Sequence, residues 1–356
     1  MRAAVLRQFG DQQLDLMNVE LAELGPGMVR VAIRATGVCH SDTTAMSGTY
    51  PIATPCVLGH EGAGEITAVG PGVVDLEVGD HVIATGVTQC GTCPFCRTGQ
   101  GHLCIRTTMV KPHFRVDGQH VFALAGIGSF SEEAVFAEET AGWIPKDVPW
   151  EVAAPIGCGI TTGIGAALNA AKVTPGSSVV VFGCGGVGVA VVQGARVAGA
   201  AQIVAVDISA EKRQQALRFG ATHAVAPEDL PRVKAEITEE SDGFDFGFEA
   251  IGLPETIRAS YDAIRRGGTA VVVGVGRSDE PVAFNAYELA YSDKTLRGTW
   301  FGSGDPRLDF LRLLRLWRAG RFDIEGMVSH RGRLSDINEA LDNVRAGHAV
   351  RTVLTP

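Results

Sequence analysis

Four cysteines fall within one 15-residue stretch, Cys90, Cys93, Cys96 and Cys104, with the spacing C-x2-C-x2-C-x7-C. Thiolates two residues apart on a turning backbone can converge on one ion. Four of them satisfy tetrahedral zinc and leave no open position, so such a site would be structural. The competing reading is a set of reactive or disulfide-forming thiols, and clustering in a chain without an export signal favours the metal. A second pattern is Gly183-Cys184-Gly185-Gly186-Val187-Gly188, with Asp207 lying 19 residues beyond the last glycine. Its glycines let backbone amides and a helix N-terminus approach a pyrophosphate. Asp207 would accept hydrogen bonds from a ribose diol and repel a 2′-phosphate, favouring NAD over NADP. A third set is dispersed: Cys39-His40-Ser41-Asp42, Gly59-His60-Glu61 and Cys158. Taken singly, His60 reads as a hydrogen-bonded structural histidine and Cys158 as a small buried hydrophobe. Two thiolates, an imidazole and one open position would nonetheless match an alcohol-oxidising zinc centre.

These residues need elements to position them. The first half reads as short strands, Val29–Ala35, Gly64–Val69 and His81–Ala84, punctuated by Gly, Pro and Asp, with no long amphipathic helix before residue 150. From about residue 160 strands and helices alternate. Ser178–Phe182 reads as a strand, Val187–Ala198 as a helix, Ile203–Asp207 as a strand, and Ala210–Phe219 as a helix stopped by Gly220. Strands Phe244–Ala250 and Thr269–Val273 flank a helix expected to start after Pro254 and to end at Gly267-Gly268. This alternation implies βαβ units and a parallel sheet, hence an α/β fold. A helix over Asp309–Ala319 and a strand over Arg351–Leu354 close the chain.

At 356 residues the chain predicts two domains. Apolar residues at 46% and charged residues at 20% exclude wholesale disorder. A formal charge of −9 argues against nucleic acid or an anionic membrane as partner, and 6% aromatics weakens any case for base stacking. The N-terminal stretch lacks the apolar centre of a secretory signal, and the apolar run Val179–Val192 is too short and glycine-rich for a membrane span. A cytoplasmic protein acting on a small molecule is expected.

The run Gly59-His60-Glu61-Gly62-Ala63-Gly64, continued by Val69-Gly70 and Gly79-Asp80, resembles the signature of the zinc-containing medium-chain alcohol dehydrogenase family. The four-cysteine lobe, Gly157-Cys158-Gly159 and the glycine fingerprint follow in that family's order, so the resemblance covers essentially the whole chain. It implies a GroES-like, β-rich catalytic domain over 1–159 and 302–356, with the lobe at about 88–106, and an inserted Rossmann domain over 160–301. It further implies NAD and two zinc ions per chain, a homodimer or homotetramer, and reversible oxidation of a primary or secondary alcohol. By position, Cys39, His60 and Cys158 match the catalytic zinc ligands, and Cys90, Cys93, Cys96 and Cys104 the structural ones. Glu61 matches a carboxylate beside the metal, Asp42 the acid that orients the ligating histidine, and Ser41 the hydroxyl that takes the alcohol proton. His40 and Arg351 match pyrophosphate contacts, Thr162 packs near the nicotinamide, and Lys212 lies near the adenosine ribose. Gly183, Gly185, Gly186, Val187 and Gly188, with Val273 and Val275, line the cofactor.

Two departures bear on mechanism and substrate. Thr44 stands where many relatives carry a histidine that relays the proton. Gly86 stands where relatives often place a bulky aromatic against the substrate, while Tyr50 and Trp300 fall at other pocket positions. The vacancy points to a bulky aromatic or allylic alcohol. A thiol adduct of formaldehyde is the alternative substrate, gripped by Lys111, His113 and Arg115, which otherwise read as a solvated loop. In a different class stands a non-enzymatic zinc-binding module that uses the 90–104 cysteines alone.

Overall fold

The computed structural model describes all residues except Pro51, 107–109 and 239–241, and leaves the side chains of 110–112 undescribed. The chain divides into two compact units. The first comprises Met1–Cys158, Asp305–Arg315 and Ile324–Pro356; the second comprises Gly159–Gly304 and Leu316–Asp323.

The first unit is built around the long strand Met28–Val38. Along one edge it pairs antiparallel with Glu61–Val69, from Val29↔Val69 to Gly37↔Glu61. Its other edge is shared by Glu133–Ala137 and, further along, by the C-terminal strand Arg351–Thr355, with Thr352 opposite Val38. The C-terminal strand is therefore joined to Met28–Val38 in one seven-stranded sheet, while the N-terminal strand Arg2–Leu6 lies in the six-stranded one. Alternate residues Val29, Val31 and Ile33 are buried in a core with Ile66, Val82 and Phe136, which is the period of two that a half-buried strand requires. A six-stranded sheet carrying Phe114 and Val121 shares this core. Among the described residues before 150, the longest helix is the seven-residue His40–Met46.

The second unit is a six-stranded, all-parallel sheet. Its strands are Ser178–Phe182, Gln202–Val206, His223–Val225, Phe244–Glu249, Ile264–Val272 and Thr295–Gly298, in the spatial order third, second, first, fourth, fifth, sixth. That order is the doubly wound arrangement, and it places a switch point beside the first strand. Val179 and Val181 enter one helix-covered core, and Val180 and Phe182 the core on the opposite face. Burial on both faces explains why this strand reads as an unbroken apolar run.

One element differs from the sequence-based expectation. The helix that begins at Pro254 ends at Ala263, and the strand Ile264–Val272 follows directly. Gly267-Gly268 lie inside that strand, where the pairing jumps from Phe244↔Ile264 to Phe246↔Thr269. Gly267 takes φ +68° there, so the glycines accommodate a bulge rather than stop a helix. One helical run, Trp150–Ala171, is long and apolar enough to cross a membrane, but 78% of its window is buried, as in a core helix.

Candidate active site

Cys39 ends the strand Met28–Val38 and caps the short helix His40–Met46. The fully buried Asp42, in that helix's first turn, organises what surrounds it. Its Oδ2 accepts from the Cys39 amide at 3.0 Å, and its Oδ1 accepts from the Gly59 amide at 3.1 Å and lies 3.1 Å from His60 Nδ1. Gly59 adopts φ +86°, and a side chain there would strike Phe130 and Ser129, so the turn into His60 requires glycine. With Nδ1 engaged, His60 presents its buried Nε2 to the Cys39 and Cys158 sulfurs. Cys158 arrives from a different direction, in a π-helical turn Ile156–Ile160 just after Pro155, a local widening common at functional positions. Ligand atoms of Cys39, His60, Glu61 and Cys158 all lie within 4.8 Å of one another.

The electrostatics suit a cation. A hydrogen bond from Cys158 holds the Cys39 thiol well below its ordinary pKa, against burial and with help from His60 and Arg351. Burial would depress His60, but the Asp42 carboxylate and the Cys158 sulfur together outweigh it and hold the imidazole well above its usual value. Burial pushes Glu61 up to about 7 against the pull of Arg351, whose Nη1 sits 3.0 Å from Glu61 Oε1. Two thiols and one imidazole, which Asp42 orients through Nδ1 so that the buried Nε2 can offer its lone pair, fit a zinc ion.

Ser41 Oγ lies 3.9 Å from Cys39 Sγ and is hydrogen-bonded to Tyr50. Burial raises the Tyr50 phenol pKa, so it stays protonated. Thr44 does not reach outward from its helix, since its hydroxyl donates to the His40 carbonyl at 3.0 Å. His40 itself is exposed, whereas Arg351 is 4% exposed, turned onto Glu61 and also hydrogen-bonded to Cys39. Gly86 is buried in the same unit.

The cysteine lobe forms a second group of convergent donors. Cys90, Cys93, Cys96 and Cys104 also bring their sulfurs within 4.8 Å of one another. Cys93 caps the one-turn helix Pro94–Arg97 and accepts from the Cys96 amide, while Cys90 accepts from the Cys93 amide at 3.3 Å. Thr92, donating its hydroxyl to Cys90 at 3.5 Å, pulls that thiol down to about 5. Four sulfurs with backbone amides aimed at them suit a closed tetrahedral ion.

In the second unit, Gly183 follows strand Ser178–Phe182 with φ +89°, and helix Gly186–Ala198 begins three residues later with Gly185 as its cap. A methyl on Gly188 would run into the Gly183 carbonyl. Gly188→Ala is therefore expected to raise the NAD dissociation constant at least about tenfold, or ~1.4 kcal/mol. Fluorescence titration with NADH checks this, and unchanged affinity would mean that the loop relaxes freely. Asp207, at the end of the neighbouring strand, accepts from the Cys184 amide at 2.8 Å and the Ser209 amide at 2.8 Å. Lys212 and Thr162 are half-buried, on helices Ala210–Arg218 and Thr161–Gly165. Val273 is buried, Val275 is 51% exposed, and Trp300 packs edge-on against Phe301.

Sequence reasoning missed three features of this unit. Ile208 is 87% exposed and Ile251 46%, both next to strand ends, which gives the crevice an apolar lining suited to a base. Arg213 binds the backbone at Asp207. Glu249 is fully buried and accepts through Oε1 from the Ile251 and Gly252 amides and the Thr256 hydroxyl. An acidic residue ending a strand two residues before an Ile-Gly turn was the available signal for Glu249.

The sequence model for zinc-binding dehydrogenases matches residues 186–318, and that for the alcohol dehydrogenase GroES-like domain matches residues 25–146. The chain belongs to the zinc-containing medium-chain alcohol dehydrogenase family. It is an oxidoreductase of that family, which uses NAD and zinc. S-(hydroxymethyl)glutathione dehydrogenase of Escherichia coli O1:K1 is 37% identical, over 99% of each chain. An alcohol dehydrogenase zinc-binding domain protein from Burkholderia ambifaria has a similar structure, with a TM-score of 0.94 at 34% identity over 99% of this chain and 98% of that one. Benzyl alcohol dehydrogenase of Acinetobacter calcoaceticus gives 0.92 at 35% identity, with the same coverage.

Proposed function

We propose that this chain oxidises an aromatic or allylic alcohol to the aldehyde or ketone, reversibly and with NAD. The observation that carries this reading is the convergence of Cys39, His60 and Cys158, with the Ser41–Tyr50 hydroxyl pair beside Cys39. These three residues would hold a zinc ion that acts as a Lewis acid on the alcohol oxygen, while the nicotinamide accepts the hydride. Asp42 keeps the His60 proton on Nδ1 and so aims Nε2 inward. Ser41 takes the alcohol proton and is held in place by Tyr50. With Thr44 bonded to its own helix, the proton taken by Ser41 would pass on either by way of the cofactor ribose and water or directly to solvent. Glu61 anchors Arg351, the residue that family likeness matches to a contact with the cofactor pyrophosphate. Enzyme family membership replaces the non-enzymatic module as a reading. A cytoplasmic homodimer or homotetramer follows the family's precedent.

For the substrate, Gly86 stands where relatives often carry a bulky aromatic against the substrate, and a solved relative is a benzyl alcohol dehydrogenase. The second reading, a thiol adduct of formaldehyde, is favoured by the relatives named S-(hydroxymethyl)glutathione dehydrogenase. Of the cations proposed to grip it, His113 is buried, Arg115 is exposed, and the side chain of Lys111 lies outside the described residues. Steady-state kinetics on ethanol, hexanol, benzyl alcohol, cinnamyl alcohol and S-(hydroxymethyl)glutathione separate the two. The aromatic reading expects benzyl or cinnamyl alcohol to exceed ethanol at least about tenfold in kcat/KM, with Gly86→Phe eroding that advantage. Ethanol as the best substrate, or an unchanged profile in Gly86→Phe, would mean that the space is filled. The thiol adduct as the best substrate would select the second reading.

A further inference from the structure

The end of strand Gln202–Val206 carries a cation as well as Asp207. Arg213, one turn into helix Ala210–Arg218, donates from Nη1 to the Asp207 carbonyl at 2.7 Å and to the Ile208 carbonyl at 3.0 Å. Those two bonds fix one edge of a planar group and remove most of its rotational freedom. The other edge, Nε–H and Nη2, makes no hydrogen bond among the described residues, and the side chain is half-exposed. Asp207 is fixed in turn by the Cys184 and Ser209 amides. Asp207, Lys212 and Arg213 all act on the Cys184 thiol inside the glycine loop, the first raising its pKa and the two cations lowering it. One anion and two cations thus lie close to the glycine loop.

We infer that Arg213 is a second determinant of cofactor choice: a guanidinium already placed to bind a 2′-phosphate bidentately, from which such a cofactor is kept by the single Asp207 carboxylate. The inference rests on the reading that the Gly183–Gly188 loop takes the pyrophosphate and Asp207 the adenosine ribose. With Asp207 present, a phosphate dianion meets a like charge and the ribose diol of NAD finds an acceptor. Without it, the free edge of Arg213 and the ammonium of Lys212 remain at the same strand end.

The test uses the zinc-loaded enzyme as native, Asp207→Ser, Arg213→Gln and the double variant. Adenosine 2′-monophosphate and 5′-AMP are titrated calorimetrically, and kcat/KM is measured with NAD and NADP. Asp207→Ser should bind the 2′-monophosphate at least about tenfold more tightly than native and 5′-AMP more weakly, and adding Arg213→Gln should remove about tenfold of the 2′-monophosphate gain while changing 5′-AMP affinity by less than about threefold. Equal 2′-monophosphate binding by the single and double variants overturns the role of Arg213 and leaves that of Asp207 standing. No change in the NAD to NADP ratio in Asp207→Ser overturns both. Should Asp207→Ser fail to fold, Arg213→Gln alone decides. It must lower the native enzyme's residual kcat/KM for NADP at least about fivefold more than that for NAD, and equal losses overturn the inference.

Discussion

Replacing Cys158 with serine is expected to lower kcat/KM for alcohol oxidation at least about 10³-fold, or ~4 kcal/mol, while the melting temperature moves by no more than about 3 °C. Serine removes one of two sulfurs from a set whose ligand atoms lie within 4.8 Å of one another. Its hydroxyl stays protonated near neutral pH and is a poor replacement for a thiolate. Elemental analysis should then show a fall from about two zinc ions per chain to about one. The size of the kinetic loss follows from what the ion does to an oxygen-bound proton, since a comparable metal lowers the pKa of water from 15.7 to about 7. The fold should survive because Asp42 still binds Cys39, Gly59 and His60, and the sheet pairing that brings them together does not involve Cys158. Full activity in this variant, or an unchanged metal count, would remove Cys158 from the site.

Cys93→Ser is expected to do the reverse. It should cost more than about 3 kcal/mol of stability, because loss of a structural metal is among the few single changes with so large an effect. At about 2–4 °C per kcal/mol, the melting transition should fall by roughly 6 °C or more. The lobe has little else to hold it: Phe95 is 36% exposed, Leu103 42% and Ile105 67%, and its helix Pro94–Arg97 is a single turn. Cys93 is 3% exposed, with its sulfur 3.9 Å from that of Cys104, so serine would leave a buried hydroxyl among three thiols. Activity per folded, zinc-loaded molecule at low temperature should remain within about threefold of native. Loss of activity with no loss of stability would mean that the lobe is not structural.

The two cofactor-related patterns were readable in the chain for a local reason. The lobe cysteines lie 15 residues from first to last, and the fingerprint glycines lie between a strand and the helix that follows it. Chain geometry over such distances leaves few ways to arrange the donors. The strand Ser178–Phe182 was legible too, because burial on both faces demands an unbroken apolar run. The end of the helix begun at Pro254 was not. Two glycines stop a helix or permit a strand bulge equally well, and the pairing of Ile264–Val272 with Phe244–Glu249 selected the bulge.

By itself, then, the sequence determined an α/β chain with a parallel, glycine-fingerprinted half and a sulfur lobe, and through family likeness it nominated Cys39, His60 and Cys158. Only the tertiary structure decided that these three meet, because their approach depends on a strand turning into a capped helix, a glycine turn at Gly59 and a widened helical turn at Cys158. It also decided that Arg351 lies on Glu61, 290 positions away, through the pairing of the C-terminal strand with Met28–Val38. It placed Arg213 with one edge on the backbone and the other free. Local spacing restricts the chain only over a few residues. Contacts between distant positions are set by strand register and by burial, which depend on every element at once.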